Sequence, residues 1–256
     1  MESNKSEYAL ITGASSGIGL ALAELFAKDG AQLFLVAREE EKLRALKTEW
    51  ELKYKITVNY AAGNLTDVSF RTGLPQRVHQ AGGTISVLVN CAGIGRKGPF
   101  GETDWGIDEA TILLNSVTPT HLIVLFLSDL RERQGSVLNV ASLAAVLPGP
   151  GMAVYYATKA YLFSLSESLQ IELGRQGVSV TCLIPGPTVS GFQKANGMNT
   201  LSSKRFPTAH QVAYFGYQAL CNKKAVAIHG FRNQLIYLFS KFSPRFVTRF
   251  LLDRDR

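Results

Sequence analysis

Cysteine is scarce in this chain, and the three present, Cys91, Cys182 and Cys221, form neither a CxxC pair nor an even-numbered set. That argues against a disulfide framework and against a cysteine-based metal site. Cys91 and Cys182 sit in apolar runs and read as buried, reduced thiols. Long hydrophobic runs are also missing. The longest, Leu122 to Leu127, is six residues, against the roughly 20 that a spanning helix needs. The opening stretch MESNKSEYALITG has no apolar core of a secretion signal, so a cytoplasmic location is expected. Zinc-ligand spacings and nucleic-acid motifs are absent, and neither a metal nor a nucleic-acid partner is expected. There is no internal repeat, low-complexity segment or interdomain linker.

What the chain does have is alternation. Apolar, β-rich runs fall at 8–12, 31–37, 56–62, 84–90, 136–142, 178–185 and 225–230. Helical patterns separate them, at 20–28, 39–53, from an Asp67 cap to Ala81, at 108–132 with a kink expected at Pro119, and at 153–175 and 208–221. Near-continuous apolar strands separated by helices imply a parallel sheet covered on both faces. The expected fold is α/β: one Rossmann-type domain over 1–256, a doubly wound parallel sheet of about seven strands.

Charge is unevenly placed. The net charge is +7, and residues 231–256 hold Arg232, Lys241, Arg245, Arg249, Arg254 and Arg256 against Asp253 and Asp255. A solvated face is the default reading of such a run.

The first strand runs into Thr12-Gly13-Ala14-Ser15-Ser16-Gly17-Ile18-Gly19, and then a helix. A glycine turn at a strand–helix junction lets backbone approach a diphosphate closely and aims free N–H groups at it. The second strand ends at Val36-Ala37-Arg38. An acid there would hold the ribose 2′-hydroxyl of NAD, whereas an arginine accommodates the 2′-phosphate of NADP. NADP is therefore the expected cofactor. Glu39 to Glu41 read as charges favouring a helix N-terminus.

At 155–159 the chain reads YYATK. Nine Tyr and 13 Lys in 256 residues make about half a Tyr-x-x-x-Lys match by chance alone, and a second match, Tyr237 with Lys241, does occur. Spacing alone does not separate the two matches.

The glycine loop, YYATK and their separation resemble the short-chain dehydrogenase/reductase family, over roughly 8–190, with a ketoacyl-reductase-like branch the nearest in character. Thr12–Gly19 is similar to the family's TGxxxGxG. Asn90-Cys91-Ala92-Gly93 looks like its NNAG segment, with Cys91 for the second Asn. Asn115, Ser142, Tyr155 and Lys159 fall in the order and separations of its catalytic tetrad, and Pro185-Gly186 matches its PG motif. The usual Asp near the end of the third strand is replaced by Gly63-Asn64-Leu65, where the Asn64 amide oxygen is expected to take the adenine amine. The usual Thr after the PG motif corresponds to Ser190, with Thr188 nearby.

The resemblance implies dinucleotide contacts from Gly13, Ser15, Ser16, Gly17, Ile18 and Gly19, from Arg38, and from Asn64 and Leu65. It adds Asn90, Ala92 and Gly93, then Tyr155 and Lys159, and finally Pro185, Gly186, Thr188 and Ser190. It also implies hydride transfer from NADPH to a carbonyl carbon, with the proton from Tyr155. A free phenol at about 10 is too weak an acid; Lys159, one turn away, and the oxidised nicotinamide have the sign to lower it. Ser142 is expected to donate to the substrate oxygen, and Asn115 to hold a water of the proton relay. Tyr156 packs in the helix or lines the pocket.

Residues 187–210 are expected to form a substrate lid. Its Phe192, Met198, Leu201 and Phe206 beside Lys194, Lys204 and Arg205 leave two readings open: apolar side chains that anchor the loop, or contacts for a hydrophobic carbonyl or alcohol substrate such as a ketone, a 3-oxoacyl thioester or a steroid-like molecule. The extension 231–256 leaves two readings open, an interfacial amphipathic helix touching a membrane or a cover over the domain or a subunit interface. The resemblance implies a homodimer or homotetramer through 108–132 and 153–175. The competing function is a non-catalytic NADP(H)-sensing or membrane-peripheral binding protein on the same scaffold.

Overall fold

The computed structural model describes residues 6–102, 104–192, 196, 201–202 and 205–243. Seven strands, β1 (Ser6–Thr12), β2 (Gln32–Ala37), β3 (Val58–Ala62), β4 (Gly83–Asn90), β5 (Ser136–Val140), β6 (Ser179–Ile184) and β7 (Val226–Ile228), form one parallel sheet in the order β3-β2-β1-β4-β5-β6-β7. All seven expected strands are present, shortened by a residue or two at several ends.

Alternation along each strand sorts the core into two layers. On one face Ala9, Ile11, Leu33 and Leu35 pack with Leu22 and Phe26 of α1 (Gly17–Lys28), Leu43 and Trp50 of α2 (Glu40–Tyr54), and Val212 and Leu220 of α9 (Ala209–Cys221). On the other, Tyr8, Leu10, Phe34 and Ile85 pack with Phe70 of α3 (Val68–Thr72), Leu74 of α4 (Leu74–Gln80), Leu122 of α6 (Thr118–Leu125), Leu130 of α7 (Leu127–Glu132) and Leu173 of α8 (Ala153–Gly174). Strand order reverses between β1 and β4. Their carboxyl ends open a crevice, the place where open α/β sheets bind ligands.

Two expected helices are broken. The stretch after Asp67 divides at Gly73 into α3 and α4. The long helix expected over 108–132 becomes α5 (Trp105–Ile112), a π turn at Leu113–Val117, α6 and α7. The Thr118 N–H bonds back to the Leu113 carbonyl, five residues earlier. Pro119 then has no N–H to continue a ladder. The wider turn carries Asn115, in keeping with the placing of such turns at functional positions. A last helix, α10 (Phe231–Phe242), follows β7. Lys194, Met198 and Lys204 of the expected lid, and Arg245, Arg249, Arg254 and Arg256 of the extension, lie outside the described residues.

Candidate active site

The loops after β1 and β4 are locked together by Thr12. Its Oγ1 accepts from the N–H groups of Cys91 (3.0 Å) and Ala92 (3.1 Å) and donates to the Val89 carbonyl at 3.1 Å. Gly13, at φ +69°, touches the same loop: a Cβ there would stand 3.0 Å from the Ala92 backbone. At Gly19 a Cβ would meet the Gly13 carbonyl at 2.3 Å. Both glycines are required by close packing.

Ser16 caps α1 in extended conformation without a side-chain hydrogen bond to the helix. The first N–H groups of α1 therefore lack a side-chain cap on the wall of the crevice, a donor set suited to a diphosphate.

The loop after β4 also gathers the expected tetrad. A Cβ at Gly93 would lie 3.1 Å from Asn115 Oδ1 and 3.4 Å from Lys159 Nζ, and one at Gly95 would lie 2.5 Å from the Tyr155 ring. Asn115 clamps the same loop at two points. Its Oδ1 accepts from Ile94 N–H at 3.0 Å, and its Nδ2 donates to the Ile94 carbonyl at 2.7 Å. Nδ2 also donates to Thr158 Oγ1, 3.1 Å away, which in turn donates to the Tyr155 carbonyl at 2.7 Å. Ser142 stands at the carboxyl end of β5, where its Oγ caps a short 3₁₀ turn (Leu143–Val146) by accepting from Ala144 N–H. It lines the same cleft as Tyr155, where its hydroxyl favours the phenolate.

These groups wall a cleft of about 820 Å³. It takes in the loop residues Gly13, Ser15, Ser16, Gly17, Ile18 and Gly19, and Arg38, Asn64, Leu65, Ala92 and Gly93 beside them. Ser142, Tyr155 and Lys159 join them, with Pro185, Gly186, Thr188 and Ser190 opposite. Tyr156 lines it too, its ring against Gly149. Asn115 sits behind the wall. Asn90 is not at the cleft at all: its amide is buried, donating to Asn139 Oδ1 at 2.9 Å, and Asn139 donates to Ser166. The Asn64 oxygen expected to meet the adenine already accepts from Thr66 N–H at 3.1 Å. Thr188 Oγ1 donates to the Gly186 carbonyl.

Electrostatics at the centre differ from expectation. Burial pushes the Tyr155 phenol up to about 12, only partly offset by the nearby Ser142 hydroxyl. Burial pulls Lys159 down to about 8, and its Nζ donates to the Val140 carbonyl at 2.9 Å, 5.9 Å from the Tyr155 ring centre. The protein groups alone therefore do not make Tyr155 a stronger acid. Cys91, expected to be buried, is only half-buried on the cleft wall; its surroundings push the thiol up to about 12, which disfavours the thiolate.

Sequence reasoning missed three features. Glu39, read as a helix-end charge, lies on the cleft wall beside Arg38. Its carboxylate accepts from Ser15 Oγ at 2.8 Å, which lowers its pKa. Phe192 and Leu201 do line the cleft, as the lid reading requires, but Phe192 goes further and rests on Tyr155 with ring centres 5.6 Å apart. Asn196 accepts from Gly95 N–H at 2.8 Å, tying its segment to the loop over Tyr155. Phe206 instead sits beneath the Arg205 guanidinium, 5.7 Å from its ring centre. The decoy pair forms a surface stack, Lys241 Nζ 5.2 Å from the Tyr237 ring, away from the cleft. Among the described residues no three His, Cys, Asp or Glu side chains gather as a metal site, and no helix is long and apolar enough to cross a membrane.

Known proteins resemble this chain in sequence and fold. The family model described as short chain dehydrogenase matches residues 7–200. An uncharacterized oxidoreductase of Staphylococcus epidermidis is 32% identical over 185 residues, 71% of this chain and 78% of that one. A very-long-chain 3-oxoacyl-CoA reductase of Meyerozyma guilliermondii is 32% identical over 200 residues, 74% of this chain and 59% of that one. Among solved structures, a short-chain dehydrogenase from Sphingobium yanoikuyae in complex with NADPH superposes with a TM-score of 0.81 at 28% identity, covering 88% of each chain.

Proposed function

Since the chain belongs to the short-chain dehydrogenase/reductase family, we propose that it is an NADP(H)-dependent oxidoreductase acting on a hydrophobic carbonyl or alcohol. One observation carries the reading. The loop after β4 gathers Asn115, Lys159 and Tyr155 around Gly93 and Gly95, and Ser142 shares the cleft with Tyr155 and Lys159. The non-catalytic alternative has no observation behind it.

The glycine loop and the uncapped start of α1 fit a dinucleotide diphosphate. Arg38 on the cleft wall is the partner for a 2′-phosphate, and the NADPH-bound relative supports that choice. A nicotinamide held there would supply or take the hydride. Ser142 accepts from Ala144 N–H and so keeps its O–H to donate to the substrate oxygen. Tyr155 transfers the proton at that oxygen. Its acidity has to rise from the burial-raised value, and positive charge from Lys159 and from the oxidised ring has the right sign. Asn115 holds the loop and, through Thr158, the start of the Tyr155 turn.

Phe192, Leu201 and Tyr156 make the substrate side of the cleft apolar. Together with the 3-oxoacyl-CoA reductase relative, this supports a bulky ketone or a 3-oxoacyl thioester. A dimer through α5–α7 and α8 is supported by exposed Ile112, Val117, Val124, Tyr161 and Ile171, and three free cysteines agree with a cytoplasmic location. The test is NADPH oxidation against a panel of 3-oxoacyl thioesters, steroids and simple ketones. Turnover of only small polar sugars would sink the substrate reading; no turnover on any carbonyl or alcohol would sink the catalytic one.

A further inference from the structure

Helix α10 has two faces, and the domain uses one. Asn233, Ile236, Tyr237 and Ser240 turn inward and are half-buried. Tyr237 packs edge-on against Phe163 with ring centres 6.1 Å apart, and Asn233 presses on Gly186, where a Cβ would stand 2.4 Å from its Nδ2. On the far side Phe231, Leu235, Leu238, Phe239 and Phe242 are 72, 50, 49, 45 and 83% exposed. Their spacing is i, i+4, i+7, i+8 and i+11. At about 100° per residue they form a single stripe, with Arg232 at one edge and Lys241 at the other. Scattered exposed apolar residues are ordinary, whereas a contiguous stripe of five marks an interaction surface.

The charge around the stripe has one sign. From 173 to 252, 80 residues, the chain contains no Asp or Glu and ten Lys or Arg. Arg175, Arg205, Lys223, Lys224, Arg232 and Lys241 are exposed. Neither Arg232 nor Lys241 makes an ion pair among the described residues; Lys241 stacks on Tyr237, with a weak pull from Glu167 on α8. A second copy docked stripe to stripe would set these cations against their own images, since a two-fold contact joins a patch to itself, and nothing acidic in 173–252 would pair them.

An anionic lipid surface satisfies both halves of the pattern. Apolar side chains enter the acyl boundary, and long cationic ones reach the headgroups. We infer that α10 is a membrane-docking helix that lies in the plane of an anionic bilayer, with Phe231, Leu235, Leu238, Phe239 and Phe242 inserted and Arg232 and Lys241 at headgroup level. Its inner face leans on Gly186, a wall of the cleft. Docking therefore sets the cleft beside the layer where a hydrophobic carbonyl compound concentrates. Only that last consequence rests on the proposed activity; the docking does not.

The test is flotation of the full chain with phosphatidylcholine vesicles, with or without about a third phosphatidylserine. Binding to the phosphatidylserine vesicles is expected, at least tenfold stronger than to phosphatidylcholine alone and weakened by salt. Leu235→Glu/Phe242→Glu is expected to lower partitioning at least tenfold, and Arg232→Glu/Lys241→Glu to erase the preference for phosphatidylserine. Both variants alter exposed side chains outside the cleft, so the melting temperature and turnover of a water-soluble ketone are expected to stay unchanged. Absence of flotation with phosphatidylserine overturns the inference. So does wild-type flotation of the Leu235→Glu/Phe242→Glu variant, or a drop in its oligomeric mass by light scattering with lipid binding intact, which assigns the stripe to a second copy. Flotation by a chain that turns over no carbonyl upholds docking and removes the catalytic reading alone.

Discussion

The Nζ of Lys159 donates to the carbonyl of Val140 at 2.9 Å, so the main chain of β5, rather than the phenol one turn away, holds the buried ammonium. The arrangement puts a cation where its own burial is unfavourable. It also explains why Tyr155 is not acidified by the protein alone: the lysine is itself pulled down to about 8, and its Nζ lies 5.9 Å from the tyrosine ring centre.

The first prediction concerns stability. Lys159 titrates near 8 when folded against an ordinary 10.5, so between those values the unfolded chain binds more protons and stability rises with pH. Below pH 8 the full cost applies, on the order of 3 kcal/mol at most. Lys159→Met is expected to be more stable than the parent at pH 7, with the gain shrinking toward pH 10, while turnover falls at least ~100-fold. Urea unfolding at the two pH values checks this; a less stable variant at pH 7 contradicts it.

Tyr155→Phe removes the proton-transfer group without changing the packing against Gly95 and Phe192. Turnover is expected to fall by about 10³ or more, with NADPH affinity within about threefold of the parent. Fluorescence titration and NADPH oxidation measure the two quantities, and a fully active variant overturns the mechanism.

Arg38 and Glu39 put opposite charges on the same end of the cleft. Arg38→Asp is expected to weaken NADPH binding roughly 100-fold, the loss of a charge-assisted contact of about 1.5–3 kcal/mol, and to leave NADH nearly untouched. Glu39→Gln removes a carboxylate already occupied by Ser15 and is expected to favour NADPH slightly. Equal loss of both cofactors in the Arg38→Asp titration rules the assignment out.

Phe192 lies against the Tyr155 ring, where a bulky substrate would also pack. Phe192→Ala is expected to raise KM for a hydrophobic ketone about tenfold, roughly 1–2 kcal/mol of lost apolar and ring contact, with kcat for a small ketone little changed. Steady-state kinetics on the two ketones decide it; equal effects on both would assign Phe192 to anchoring the lid.

Local sequence was enough for much of this protein. Near-continuous apolar, β-rich runs and helical runs of period 3.6 place all seven strands and most helices, because each element must bury its apolar surface whatever its neighbours are. Gly13 and Gly19 stand where backbone meets backbone, and Tyr155 and Lys159 share a helix face by spacing alone. Other features depended on contacts between distant segments. A kink near Pro119 is legible locally, but the π turn at 113–117 also carries the two-point clamp of Asn115 on Ile94, which no local pattern shows. Asn90 sits in a motif that reads as cofactor-binding, yet its amide faces Asn139 inside the sheet, because strand register, not motif membership, sets the direction of a side chain. Glu39 became part of the cleft only when Ser15, 24 residues away, came within hydrogen-bonding reach. The acidity of Tyr155 was least legible of all: a one-turn spacing supplies a nearby cation, but burial, which only the folded chain creates, sets the sign of the shift.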